Sequence, residues 1–330
     1  MSLVKRRSCL NKQITSYQRI TSHVRGLQNS ADILLKYRKA YQNYLSVLWH
    51  IIQKKYPSKA ILRDGRVIML NSFEATYNLA RLQNQGKVSY DVTTDTVFIP
   101  DPRLTNSKSL KLEGGLHNGE IINIFVRDIY RNFPVRGKIV IDVGANIADS
   151  CIYFVLHGAK RVIGIEPLLK NYELAERNIK LNNFANRITL ILAGCSVRPG
   201  SANVMVSEAE GIGQQISRGL NNRIAVPLLT LEEILQQNNV SREETALKMD
   251  CEGCEYDVIL SSPDDVLKSF SNILIEYHYG YKEIKEKLEK SNFDVSLVKI
   301  SGRQGGPTAV PNPSNLGRWY HMGYIHAKRK

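Results

Sequence analysis

Two clusters of residues in this chain have the types and the spacing to do chemistry. The first is Asp142-Val-Gly144-Ala145-Asn146, closing the apolar run that begins at Ile139; about twenty residues later Glu166-Pro167 closes a second apolar run, Val162-Ile-Gly-Ile165. A glycine turn between a buried strand and a helix, with an acid at that distance, is how α/β folds hold the ribose of a nucleoside cofactor. Dinucleotide sites usually carry G-x-G-x-x-G, whereas here the second and third glycine positions are Asn146 and Asp149. The loop therefore suits a nucleoside without a pyrophosphate, and S-adenosylmethionine is the leading candidate. Taken alone, Asp-x-Gly at a strand end is only what turns favour. Glu166 at the right spacing, and the second cluster, decide for the cofactor.

The second cluster is Asp250-Cys251-Glu252-Gly253-Cys254-Glu255, three carboxylates within six residues. Asp250 stands at a strand tip and faces the reacting centre. Gly253 permits a tight turn, and Glu255 falls in a first helical turn, where the helix dipole favours an anion. Carboxylates can interact with a sulfonium, and one beside a hydroxyl could take its proton. The plain alternative is an acidic helix cap. Further along, Ile275-Glu276-Tyr277-His278 ends another strand; His278 is either a base beside the substrate or a strand-end histidine satisfied by backbone.

These readings give a site. Gly144 lets backbone approach the cofactor, and the helix beginning near Asn146 offers N–H donors to its carboxylate. Glu166 holds the ribose hydroxyls, while Ala193-Gly194-Cys195-Ser196 flanks the adenine. Asp250, Glu252 and His278 orient and deprotonate the acceptor. Cys251-x-x-Cys254 could be half a zinc site or a redox pair. No second Cys or His pair stands at metal spacing nearby, so both read as small structural residues and no obligate metal is expected.

The elements that must position these groups alternate from residue 138 onward. Strands are expected at 138–143, 161–166, 187–193, 224–228, 245–250, 272–277, 293–300 and 319–327. Helices are expected at 147–157, 169–182, 230–238, near 254–260 and at 281–290. Such alternation implies a parallel sheet covered on both faces, with ligands bound beyond the strands' carboxyl ends. If the 293–300 strand is also parallel, the polar loop 301–317 opens on that edge and could cover a substrate. Upstream, Leu34, Tyr37, Tyr41, Leu45, Leu48 and Ile52 form one apolar stripe, predicting an amphipathic helix over 31–55. Asp64-Gly65 marks a hairpin between short strands, and a further helix is expected over 119–132. The domains read as a basic helical arm, 1–56; a small β-rich region, 57–114; and a cofactor domain, 115–330.

The charge supports this division. Of a net +14 over 330 residues, residues 1–63 hold thirteen Lys/Arg against one acid, Asp32, and the tail Lys328-Arg329-Lys330 adds three more. The body between is near neutral. A basic arm suits RNA, an anionic membrane surface or a charged glycan, or is simply a solvated helical surface. No run of about 18 apolar residues exists to span a membrane, and the start lacks the apolar segment of a signal peptide. With an odd count of five cysteines, a cytoplasmic protein, or one peripheral at the membrane surface, is expected.

The chain resembles the FkbM family of class I S-adenosylmethionine-dependent methyltransferases. The residues that carry the resemblance are Val140-Ile-Asp142-Val-Gly144-Ala-Asn146, Ile165-Glu166-Pro167, Thr230-Leu-Glu-Glu-Ile234, Leu247-Lys-Met-Asp250-Cys-Glu252-Gly253-Cys-Glu255 and Ile275-Glu276-Tyr-His278. The resemblance covers about residues 115–328 and implies a Rossmann-like sheet of seven strands, the last antiparallel. It also implies O-methylation of a hydroxyl, often on a sugar or polyketide; a lipid or other metabolite is equally open as acceptor. Cys251 and Cys254 stand where the family usually has apolar or small residues. Two rival readings remain: an RNA methyltransferase using residues 1–63, and a cofactor-binding scaffold that has lost catalysis.

Overall fold

A computed structural model describes residues 31–86, 88–104, 109–116, 120–205, 223–240, 244–298 and 322–330. The chain forms two compact units that divide after Val92. In the first, helix α1 runs over 31–40, a turn follows, and α2 spans Tyr44–Gln53. Strands β1 (Ser58–Ile61) and β2 (Val67–Leu70) pair as a hairpin around Asp64-Gly65, then come α3 (Phe73–Gln83) and β3 (Ser89–Asp91). The single helix expected over 31–55 is therefore broken at 41–43, where Tyr41 bridges to Leu62. The expected stripe breaks with it. Tyr37 and Tyr41 are buried, but Leu45 and Ile52 are exposed and Val47 is the residue α2 buries.

In the second unit, strands β4 (Thr96–Pro100) and β5 (Ser109–Glu113) form a hairpin. The helical turn after it ends at Val126, short of the expected 132. The sheet domain then runs β6 (Ile139–Val143), α4 (Asp149–Leu156), β7 (Arg161–Glu166), α5 (Leu169–Leu181), β8 (Ile188–Leu192), β9 (Gly194–Cys195), β10 (Gly200–Met205), β11 (Arg223–Leu229), α6 (Leu231–Gln237) and β12 (Thr245–Met249). It closes with α7 (Cys254–Ser261), α8 (Asp264–Leu267), β13 (Asn272–Tyr277), α9 (Lys282–Lys290), β14 (Phe293–Val298) and β15 (Gly323–Arg329). The strand order is β14-β15-β13-β12-β6-β7-β8. Neighbours β13-β12-β6-β7-β8 are parallel, and β15 runs antiparallel to both β13 and β14. The seven-stranded sheet with an antiparallel last strand, expected from the sequence, is the observed one. The chain leaves β14 and re-enters β15 at the carboxyl edge of the parallel strands. The loop 301–317 itself lies outside the described residues.

The strands read as near-continuous apolar runs because both faces are covered. Alternate residues Ile141, Val143, Ile163, Ile165, Leu247, Met249, Ile273 and Ile275 pack with Ile234, Ile259, Ile284 and Leu288 of α6, α7 and α9. Each fully buried aliphatic side chain there contributes about 1.5–3 kcal/mol. The residues between them point to the opposite face, where α4 and α5 lie; a Cβ on Gly164 would meet Cys151 Sγ of α4 at 2.9 Å. Two asparagines of α5 dock the β5 strand: Glu113 N–H donates to Asn178 Oδ1 (2.7 Å) and Lys111 N–H to Asn182 Oδ1 (2.9 Å).

Candidate active site

The glycine loop is held by β7. Gly144 N–H and Ala145 N–H both donate to Ile165 O at 3.0 Å, and Asn146 N–H donates to Glu166 Oε2 at 2.8 Å. Asn146 sits in the left-handed region (φ 48°), the conformation a glycine usually takes and asparagine tolerates. Glu166 is buried; its other oxygen accepts Leu168 N–H (2.9 Å). Burial raises its carboxyl from the ordinary range to about 7, against the lowering pull of its Leu168, Asn146 and Asn171 donors and of Lys248. The helix beginning near Asn146 is expected to offer its N–H donors to the cofactor's carboxylate. Of these donors the Asn146 N–H is already engaged with Glu166, and α4 itself starts at Asp149.

Gly144 (φ 81°) is required by a different neighbour than expected. A Cβ there would lie 1.8 Å from the backbone carbonyl of Asp250. The loop after β6 therefore rests directly on the loop after β12, and Asp250 N–H donates to Val143 O (3.0 Å).

Asp142 lies below this junction and is fully buried. Its register partner on β12 is Lys248, also buried, whose Nζ lies 2.9 Å from Asp142 Oδ1 and donates to Gly144 O at 2.9 Å. Asp142 Oδ2 accepts Ser150 Oγ–H (2.6 Å) and lies 3.2 Å from Cys151 Sγ. Burial acts to lower the Lys248 ammonium, but Asp142, Asp250 and Asp149 around it outweigh that and hold it well above its ordinary value. Asp142 was expected to touch the cofactor. It is instead enclosed, and clamps the two strand tips through Lys248.

The acidic loop then turns sharply, with Glu252 (φ 58°) and Gly253 (φ 120°) both left-handed. Such conformations in a non-glycine residue collect at functional sites. Cys251 and Cys254 are bonded, S–S 2.01 Å, rather than being merely small residues. Glu255 is fully buried; Oε2 accepts Gly253 N–H (2.9 Å) and Oε1 lies 2.7 Å from His278 Nδ1. On the far side of the ring, His278 Nε2 stands 3.7 Å from Asp250 Oδ1 and 3.6 Å from Glu252 Oε2, and has no hydrogen-bond partner among the described residues. Burial acts to lower the His278 imidazole, but Glu255, Asp250 and Glu252 raise it above its ordinary value. Beside it, Glu276 accepts Tyr324 O–H (2.8 Å), and burial, then Asp250 and Glu120, push its carboxyl well upward.

The structure thus brings Gly144, Ala145, Asn146 and Glu166 together, and Asp250, Glu252 and His278 together, and joins the two groups through the Gly144–Asp250 contact. Pro167 follows, two residues ahead of α5. Ala193 is part of the buried core, and Gly194 is close-packed, its missing Cβ 2.8 Å from Leu228 Cδ2 where β9 pairs with β11. Their small size serves packing. Lys248, Glu255 as partner of His278, and Glu276 have no role assigned from the sequence. Lys248 had a readable signal, since a lysine inside an otherwise apolar strand needs a buried partner.

Residues 142–295 match the family model of the methyltransferase FkbM domain. This domain is of the FkbM methyltransferase family. The limits of the match enclose both loops just described. A stretch of 84 residues is 34% identical to protein arginine N-methyltransferase 1 of Saccharomyces cerevisiae, covering 23% of this chain and 24% of that one. The chain thus matches about a quarter of that curated relative's length. Among solved structures, the ribosomal protein L11 methylase of Lactobacillus delbrueckii subsp. bulgaricus aligns with 74% of this chain and 98% of its own, at 14% identity and TM-score 0.40. The M1A22 tRNA methyltransferase TrmK of B. subtilis aligns over 62% and 65%, at 12% identity and TM-score 0.34.

Proposed function

We propose that this protein transfers a methyl group from S-adenosylmethionine to a hydroxyl oxygen of a sugar, glycan, lipid or other metabolite. The observation that carries the reading is the convergence of the two loops: Gly144, Glu166 and Asp250 meet at the carboxyl edge of the sheet, where open α/β folds bind ligands. The residues present fit the cofactor. Glu166 has a carboxylate with roughly four lone-pair sites, of which Asn146, Leu168 and Asn171 engage three. The remainder faces a ribose hydroxyl in this reading. Bound there, S-adenosylmethionine supplies a methyl carbon on a sulfonium, ready for displacement by an oxygen lone pair while the bonding pair returns to sulfur. Asp142 and Lys248 hold the loops in register without touching the ligand. Asp250 and Glu252 place negative charge beside the transferring group, and with His278 they orient the acceptor. Much of the acceleration then comes from positioning.

In this reading residues 115–330 carry the chemistry, the small β-rich region is 57–114, and the basic arm, 1–56, recruits an acidic partner at a membrane surface or in the cytoplasm. Calorimetry with S-adenosylmethionine on wild type, Glu166→Ala and Asp250→Ala is the direct test; unchanged affinity in both variants removes the site. Label transfer from methyl-tritiated cofactor into glycan, lipid and RNA fractions of a cell extract identifies the acceptor and separates an enzyme from a scaffold. The charge of residues 1–63 favours one second reading, an RNA acceptor. A gel shift that weakens with salt and vanishes on removing residues 1–55 would select it.

A further inference from the structure

His278 presents two different faces. Its Nδ1 lies 2.7 Å from Glu255 Oε1, and Glu255 is wholly buried, with Gly253 N–H on its other oxygen. An ionised carboxylate only accepts hydrogen bonds, so Nδ1 must carry the hydrogen and Nε2 the lone pair in the neutral ring. The side chain is 4% exposed, yet Nε2 has no partner among the described residues and stands between Asp250 and Glu252 beyond hydrogen-bond distance of either. A buried polar atom left without a partner costs about 1–3 kcal/mol, a loss that something bound between the two acids would recover.

We propose that Glu255 is the positioning residue of a Glu–His pair, and that it fixes His278 in the tautomer whose bare Nε2 takes the proton from the acceptor hydroxyl. The proposal rests on the methyl-transfer reading for its substrate and goes beyond it in choosing the base. In the step, the acceptor O–H bond breaks, its proton goes to Nε2, and the bonding pair stays on oxygen to form the new bond to carbon. The positive charge that appears on the imidazole lies among Glu255 from α7 and Asp250 and Glu252 from the acidic loop. The Tyr279 ring lies beside the imidazole, 6.5 Å between centroids. Asp250 is the less available group, since its carboxyl already shares a hydrogen bond with Glu276.

Nitrogen-15 spectra of histidine-labelled full-length protein test this without an acceptor, the His278 signal being assigned by its loss in His278→Asn. Wild type is expected to show the Nδ1–H tautomer, while Glu255→Gln lowers the titration of His278 and mixes the tautomers, and Glu255→Asp restores part of both. An Nε2–H tautomer in wild type, or a titration unmoved in Glu255→Gln, overturns the proposal. So does an Nε2 shift on adding Mg²⁺ or Zn²⁺ alone, which would make it a metal ligand. With tritiated cofactor and extract, His278→Asn should reduce label transfer about a hundredfold or more, with cofactor affinity retained. Wild type that binds cofactor but labels no fraction counts against methyl transfer, while the spectra still decide on Glu255.

Discussion

Lys248 and Asp142 show what single residues do at these strand tips. Both are buried, and each is the other's charge partner. Removing one member of a buried pair strands the other, so Lys248→Met is expected to destabilise the fold by about 3–5 kcal/mol. Adding Asp142→Leu should recover most of that, and urea unfolding of the single and double variants checks both. Gly144→Ala combines a left-handed φ with a side chain aimed into the Asp250 carbonyl; a loss of about 2–4 kcal/mol is expected from strain and overpacking together. An alanine variant as stable as wild type would remove the close approach. Glu166, Asp250 and His278 are legible in the sequence because acids and histidine at strand ends suggest chemistry. Asp142 stands out for the same reason and turns inward, because its register partner Lys248, 106 residues on in sequence, is invisible until the strands pair.

At the scale of elements, strong local punctuation made the sheet legible. The strands and helices expected from residue 138 onward lie within a few residues of their observed positions because apolar runs alternate with amphipathic ones bounded by Gly, Pro and Asn. The short β9 and α8 and the strand β10 had no expected counterpart. Thr230-x-x-Glu233 closes a full capping box on α6, the Thr230 hydroxyl accepting Glu233 N–H (3.1 Å) and Glu233 accepting Thr230 N–H (2.9 Å). Thr230→Ala is expected to cost about 1 kcal/mol, read as a lower urea midpoint at unchanged slope. What the sequence concealed was decided by tertiary pairing. Helical periodicity continues through 41–43, but Tyr41 bridges to Leu62 and its hydroxyl donates to Thr76 O (2.7 Å), so the helix stops. Helix α3 went unread although Ser72 caps it by accepting Ala75 N–H, because its apolar content is low and it follows a strand closely.

Across the whole molecule, proton uptake sets how stability responds to pH. Glu166 and Glu276 are raised chiefly by burial, and His278 is raised by its carboxylate neighbours against burial. Each keeps a proton in the native state at a pH where the unfolded chain has released it. Their contribution is therefore present at low pH and is lost as pH rises through the folded values, which for Glu166 means from about 4.5 to about 7. His157 and His326, lowered by burial, work in the opposite sense, but only below about 6.5. Unfolding by urea should accordingly show lower stability at pH 8 than at pH 6.5, and an equal or higher midpoint at pH 8 would contradict this. Because a main-chain oxygen fills the space where residue 144 has no side chain, neither neighbouring turn can shift while the other stays still. In the proposed reading, occupancy on the nucleoside side is expected to alter affinity on the acceptor side, and by thermodynamic reciprocity the reverse holds by the same factor.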